Sequence, residues 1–249
     1  MRTRPALPAL LLATLLPVAL AGCAADGEDT LTVLAAASLT DVFSELAEDF
    51  EAAHPGTEVE LVLGSSTDLA ENAADGAPGD VLATADAASV RLAVDAGSTA
   101  ADPVTFATNV LVLVTAPGNP AGLEGLADLD GVTWVRCADD VPCGRVALSL
   151  LEGAGVEARP ASLEVDVRAT LEKVVSGEAD AGLVYASDAV AAGADVATVP
   201  VAGAEAVPAS YHLAPLVQAE DAELADDWVE LVTSDQGRQV LRDAGFTVP

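Results

Sequence analysis

Val33–Asp41 reads VLAAASLTD: an apolar run closing in three alanines, then Ser38, with an acidic residue, Asp41, three positions on. This is a buried strand feeding a helix, and Ser38 with Asp41 fits a capping box. Leu39, Val42, Phe43, Leu46 and Phe50 then recur at helical spacing on one face. A helix opened by serine gathers free N–H groups, the positive end of the helix dipole and a hydroxyl at one point. Such a point binds anions.

The same grammar repeats on either side. Strands are expected at Thr30–Ala36, Glu58–Leu63, Asp80–Thr84, Val110–Thr115, Gly131–Arg136, Leu163–Val165, Ala181–Tyr185, Val196–Val201 and Tyr211–Val217. Amphipathic helices fall between them, two of them opened by Asp86 and Asp166, and two more helices close the chain. Short strands alternating with helices predict α/β architecture. The pattern runs twice, which predicts two similar three-layer lobes: residues 30–105 plus 212–249, and residues 106–211. Strand-like crossovers are expected near 103–110 and 205–212.

Composition narrows the function. The N-terminus is basic at Arg2 and Arg4, apolar from about Ala6 to Leu20, and reaches LAGC at 20–23. That is the plan of a secretory signal peptide, here residues 1–22, and the apolar run is short for a membrane span of about 20 residues. LAGC resembles the lipobox of bacterial lipoproteins, which implies lipidation of Cys23 and a short tether over 23–29. The expected location is the outer face of the cytoplasmic membrane. Net charge is −30. Nucleic-acid binding is excluded by the want of a basic face, and an anionic ligand would be repelled at long range, so it must be held by local hydrogen bonds. Aromatic residues are 3% of the chain, leaving Ala, Val and Leu to build the core. Cys137 and Cys143 lie in CADDVPC, where an exported location permits a disulfide, with two free thiols as the alternative.

Catalytic and metal chemistry find little support. There are two histidines, His54 and His212, and no nucleophile elbow, phosphate loop or clustered metal-ligand spacing. What recurs instead is a strand ending in small residues that open a helix: Ala37-Ser38, Ser65-Ser66, Pro142-Cys143-Gly144 and Asp166-Val167. Singly, each is ordinary helix capping. Together, at strand C-terminal ends in two lobes, they mark the place where open α/β sheets bind ligands.

AAASLT (35–40), GSSTDL (64–69), GAPGDV (76–81), ATAD (83–86), VPCG (141–144), EVDVR (164–168), GLVYASDA (182–189) and AGFTV (244–248) occur in that order. In combination they resemble the molybdate-binding proteins of molybdate ABC importers. The resemblance implies a two-lobed type II periplasmic-binding-protein fold, each lobe a mixed, mostly parallel sheet flanked by helices. It implies a monomer that hands its ion to the membrane subunits of an ABC permease, with no catalysis and no cofactor. Carried over residue by residue, the oxyanion contacts fall on Ser38 and Ser66, through hydroxyl and backbone N–H. In the second lobe they fall on the N–H groups of Cys143 and Val167 and on the hydroxyl of Tyr185. Ser65 competes with Ser66 for its role. Cys143 stands where the family commonly has alanine, a change that a backbone donor tolerates.

A set made only of donors suits molybdate and tungstate, which carry no proton at neutral pH, whereas a protonated phosphate also needs an acceptor. Alternatives on the same sequence are a receptor for another oxyanion or small organic solute, an exported thiol or hydrolytic enzyme using Cys143, and a structural surface lipoprotein.

Overall fold

The computed structural model describes residues 29–249. The expected signal peptide, the lipidation site at Cys23 and nearly all of the tether lie outside the described residues. From β1 (Asp29–Ala36) the chain enters a single turn of 3-10 helix, Ala37–Leu39, before α1 (Thr40–Ala53). It continues through β2 (Thr57–Gly64), α2 (Ser66–Ala74), β3 (Val81–Thr84), α3 (Ala87–Asp95) and β4 (Val104–Asn109). Next come β5 (Leu111–Thr115), β6 (Trp134–Cys137), α4 (Pro142–Ala154), β7 (Ser162–Glu164), α5 (Val167–Val175) and β8 (Ala181–Tyr185). Then follow α6 (Ala186–Ala192), β9 (Ala197–Val199), β10 (Ala209–Pro215), α7 (Ala222–Thr233) and α8 (Asp235–Asp243).

The strands form two five-stranded sheets, ordered β2-β1-β3-β10-β4 and β7-β6-β8-β5-β9. The two orders are the same plan used twice. In each, a first strand pairs in parallel with its two successors, β1 with β2 and β3, and β6 with β7 and β8. One strand then enters antiparallel on both sides, β10 in one sheet and β5 in the other. Each sheet is therefore mixed but mostly parallel, as expected: four strands run one way and one runs against them. The reason is topological: each antiparallel strand is the first after the chain has crossed from the other lobe. Phe106–Asn109, read from the sequence only as part of a crossover, is the second half of β4 and pairs with β10. Asn109 and Val110 thus form one crossing point, and the stretch between β9 and β10 forms the other.

Burial follows the apolar spacing. Val42, Phe43, Leu46, Ala47 and Phe50 face inward from α1, and Trp228 of α7 meets Phe43 and Phe50 edge-on, with ring centroids 5.4 and 5.5 Å away. Edge-to-face packing of that kind adds about 0.5–1.5 kcal/mol per pair beyond buried area. In this aromatic-poor chain all the Phe, Tyr and Trp rings but Trp134 join one patch, while Ala, Val and Leu fill most of the rest. The lobes meet where Tyr185 of β8 and Tyr211 of β10, both almost wholly buried, approach with centroids 6.0 Å apart.

Candidate anion site between the lobes

The C-terminal ends of β1, β2, β6 and β8 face one another across the cleft and enclose a small cavity. Ala36, Ala37, Ser38, Gly64, Ser65, Ser66 and Ala85 line it from the first lobe. Val141, Pro142, Cys143, Asp166, Val167 and Tyr185 line it from the second. All five residues expected at the site, and Ser65, are therefore brought together. The cavity is small, with about 230 Å³ of empty space, which suits a ligand of a few atoms. No lysine or arginine lines it.

Helix starts explain why such a place attracts an anion. The first turns of a helix leave N–H groups without intrahelical partners, which side-chain caps normally take up. Three helices that open elsewhere have such caps: Asp86 on α3, Asp221 on α7 and Ser234 on α8. The 3-10 turn at Ala37–Leu39, α2 and α4 all open onto the cavity, and none has a side-chain cap. In α5, Asp166 Oδ1 takes the Ala169 N–H at 2.8 Å, so the carboxylate bonds to the helix third residue and not to Val167. The expected capping box at Ser38 does not form. Ser38 lies within the 3-10 turn, α1 begins at Thr40 without a side-chain cap, and Asp41 instead pairs with Arg168 of the other lobe.

The hydroxyls differ in their partners. Ser66 Oγ accepts the Ala85 N–H at 3.0 Å, which leaves its own proton to be donated elsewhere. Ser38 Oγ lies 2.8 Å from Tyr211 Oη. Ser65 Oγ and Tyr185 Oη are buried with no hydrogen-bond partner among the described residues. Burying a hydroxyl unpaired costs about 1–3 kcal/mol, so two at one cavity point to a ligand that pairs them. Burial pushes the Tyr185 hydroxyl well above the ordinary phenol range, an effect enlarged by Tyr211 and by the carboxylates of Asp86 and Asp188. It therefore stays protonated and available as a donor.

The second-lobe turn is pinned covalently. Cys137, at the end of β6, and Cys143, in the first turn of α4, form a disulfide with Cα atoms 5.7 Å apart. That engages the one cysteine an exported thiol enzyme would need. Gly144 lets this turn close, since a Cβ there would lie 1.6 Å from the Ala138 carbonyl oxygen. Among the described residues no cluster of three or more His, Cys, Asp or Glu is placed to hold a metal ion.

Arginines tie the lobes together beside the cavity. Arg145 of α4 reaches Asp86, with Nε 2.7 Å from Oδ2, and also Ser89 Oγ at 3.1 Å. Arg168 of α5 pairs with Asp41 across the cleft and holds its Nε 3.2 Å from Asp188 Oδ1, near enough for charge attraction but out of hydrogen-bond alignment. Sequence reading missed both arginines and also Tyr211. The only available hint was that Tyr211 is one of two tyrosines in the chain.

The chain is similar to known solute-binding proteins. The model of the bacterial extracellular solute-binding protein family matches residues 31–247. A molybdate-binding protein, ModA, of Mycobacterium tuberculosis is 38% identical over 225 residues, covering 90% of this chain and 86% of that protein. The solved periplasmic molybdate-binding protein of Azotobacter vinelandii superposes with a TM-score of 0.77 at 20% identity, covering 88% of this chain and 99% of that one. The sulfate-binding protein SubI of M. tuberculosis superposes with a TM-score of 0.76 at 19% identity, covering 88% and 86%. At such identities the superpositions speak for the fold alone.

Proposed function

Because the chain belongs to the bacterial extracellular solute-binding protein family, we propose that it captures molybdate, and tungstate with it, between its lobes for delivery to an ABC permease. The observation that carries this is the pairing of two unpartnered buried hydroxyls, Ser65 and Tyr185, with uncapped helix starts around one cavity free of cationic side chains. Neutral donors aimed inward stabilise a proton-free dianion without a counter-charge. Each charge-assisted bond is worth about 1.5–3 kcal/mol, and several converging in a water-poor cleft support sub-micromolar binding after ordering costs. The donors in this reading are the hydroxyls of Ser38, Ser66 and Tyr185 and the backbone N–H groups of Ser38, Ser66, Cys143 and Val167. Ser65 joins them, because its free hydroxyl lines the same cavity. The protein acts as a monomeric carrier with no catalytic step, anchored at the outer face of the cytoplasmic membrane through lipid on Cys23.

Calorimetry on residues 24–249 with molybdate, tungstate, sulfate and phosphate tests the reading. Tight binding of molybdate and tungstate, with sulfate and phosphate at least a hundredfold weaker, is expected. No heat with molybdate, or sulfate binding as tight, overturns it. Ser38→Ala should weaken molybdate at least tenfold in a folded domain.

A further inference from the structure

Ser66 and Thr67 are the first two residues of α2, but only Ser66 lines the cavity. Thr67 reaches the other lobe instead. Its Oγ1 lies 2.8 Å from the carbonyl oxygen of Asp140 and 3.3 Å from Nη2 of Arg145, both in the second lobe. A carbonyl oxygen only accepts and a guanidinium only donates, so the hydroxyl gives its proton to Asp140 and receives one from Arg145. Ser89 Oγ, within the first lobe, is a looser neighbour at 3.4 Å.

Asp140 is held where Thr67 meets it. It lies inside the ring closed by the Cys137–Cys143 disulfide, three residues ahead of Cys143, which lines the cavity. Within its own lobe that ring is braced three times. The Val141 N–H bonds back to the Ala138 carbonyl at 3.3 Å, the Ala138 N–H to the Glu164 carbonyl at 2.9 Å, and Asp139 pairs with Arg136 at 2.7 Å. Arg145 Nη1 also donates to the Asp140 carbonyl.

Resting on the molybdate reading, we propose that Thr67 is a positioning residue for ion capture: its hydroxyl fastens the α2 start that carries Ser66 onto the disulfide ring that carries Cys143. Neither Thr67 nor Asp140 lines the cavity, so the bond joins its two walls without touching its contents. A hydrogen bond is lost once its atoms stand beyond about 3.5 Å, so this one holds only while the lobes are drawn together. It adds nothing to an open form and favours the closed form around any ion that fills the cavity. The disulfide serves the same contact, because an open loop would not hold the Asp140 carbonyl toward Thr67.

The test sets Thr67→Val, which keeps the branched shape without the hydroxyl, against Thr67→Ser, which keeps the hydroxyl. Stopped-flow release of molybdate should be roughly three- to fivefold faster in Thr67→Val, the scale of one partly exposed hydrogen bond. Association should be unchanged, tungstate release should quicken by the same factor, and Thr67→Ser should release near the wild-type rate. In a Cys137→Ala, Cys143→Ala background, where the ring is open, Thr67→Val should add little. Circular dichroism and ligand-free melting identify misfolding, and Thr67→Ala provides a second variant without the hydroxyl. Release at the wild-type rate in both hydroxyl-free variants, Thr67→Ser releasing as fast as they do, or the full effect persisting with the ring open overturns the assignment. Wild-type protein that ignores molybdate overturns the underlying reading instead, so the two failures are distinct.

Discussion

One carboxylate, that of Asp86, serves both lobes at once through Arg145. Its Oδ1 caps α3 at the Ser89 N–H, 2.8 Å away, while its Oδ2 receives Arg145 Nε from the opposite lobe at 2.7 Å. Beside it, Thr67 Oγ1 donates to the Asp140 carbonyl at 2.8 Å, again across the cleft. In the proposed function, closure of the lobes over an ion would thus be reinforced by contacts outside the cavity.

Arg145→Gln keeps most of the side-chain stem and removes the ion pair with Asp86. The pair is partly exposed, with side-chain exposures of 32% and 16%, so solvent screening limits it to about 1 kcal/mol of preference for the closed form. Stopped-flow release of molybdate should become roughly fivefold faster, with the ligand-free melting temperature nearly unchanged. An unaltered release rate would remove this contact from closure.

Tyr185→Phe and Ser65→Ala each delete a hydroxyl that has no partner among the described residues. Since an unpaired buried hydroxyl is destabilising by about 1–3 kcal/mol, the ligand-free domain should melt at the same or a higher temperature. Molybdate affinity should nonetheless fall at least fivefold. Gain in stability with loss of binding is the mark of a group kept for the ligand, and differential scanning calorimetry with and without molybdate reads both.

Reduction of Cys137–Cys143 frees the turn that positions the Cys143 N–H. The closed loop is short, so chain entropy gives only about 2 kcal/mol. For a chain of this size that is a fall of about 4–8 °C in melting temperature. A Cys137→Ala, Cys143→Ala variant should match the reduced protein in melting and show weaker molybdate binding.

Asp188 is fully buried, and burial raises its carboxyl to about 7, with the Arg168 charge and the Tyr185 N–H pulling the other way. Its unfolded value is near the ordinary 3.9, so the folded state holds the proton across the interval between. Stability from this group is therefore full below about pH 4 and is lost as pH rises through about 7. The difference in unfolding free energy between wild type and Asp188→Asn should shift against wild type by up to about 1.4 kcal/mol per pH unit across that window. A flat difference from pH 4.5 to 7.5 would mean that Arg168 keeps the carboxyl ionised throughout.

How much of this was legible beforehand depends on the distance over which each feature is decided. Strand and helix placement follows local apolar spacing, so VLAAASLTD announced β1 and the helix after it, and α1 buries Val42, Phe43, Leu46 and Phe50 as the spacing requires. Turn chemistry is equally local: small residues before a helix start allow close backbone approach, and the Cys137–Cys143 separation of six suits a bridge. The capping box failed because a 3-10 turn intervenes and Ser38 finds a partner 173 residues away. Strand β4 was obscured because its pairing with β10 is a property of the crossover and not of its own sequence. Which hydroxyls are donors, which are unpaired, and which arginine meets which carboxylate are settled only when distant segments converge, since a hydrogen bond takes its direction from both partners. Sequence alone determined that small residues and Ser38 stand where β1 gives way to helix. The fold decided that this serine meets the hydroxyl of Tyr211, 173 residues away, because only tertiary packing brings two such distant segments within hydrogen-bond reach.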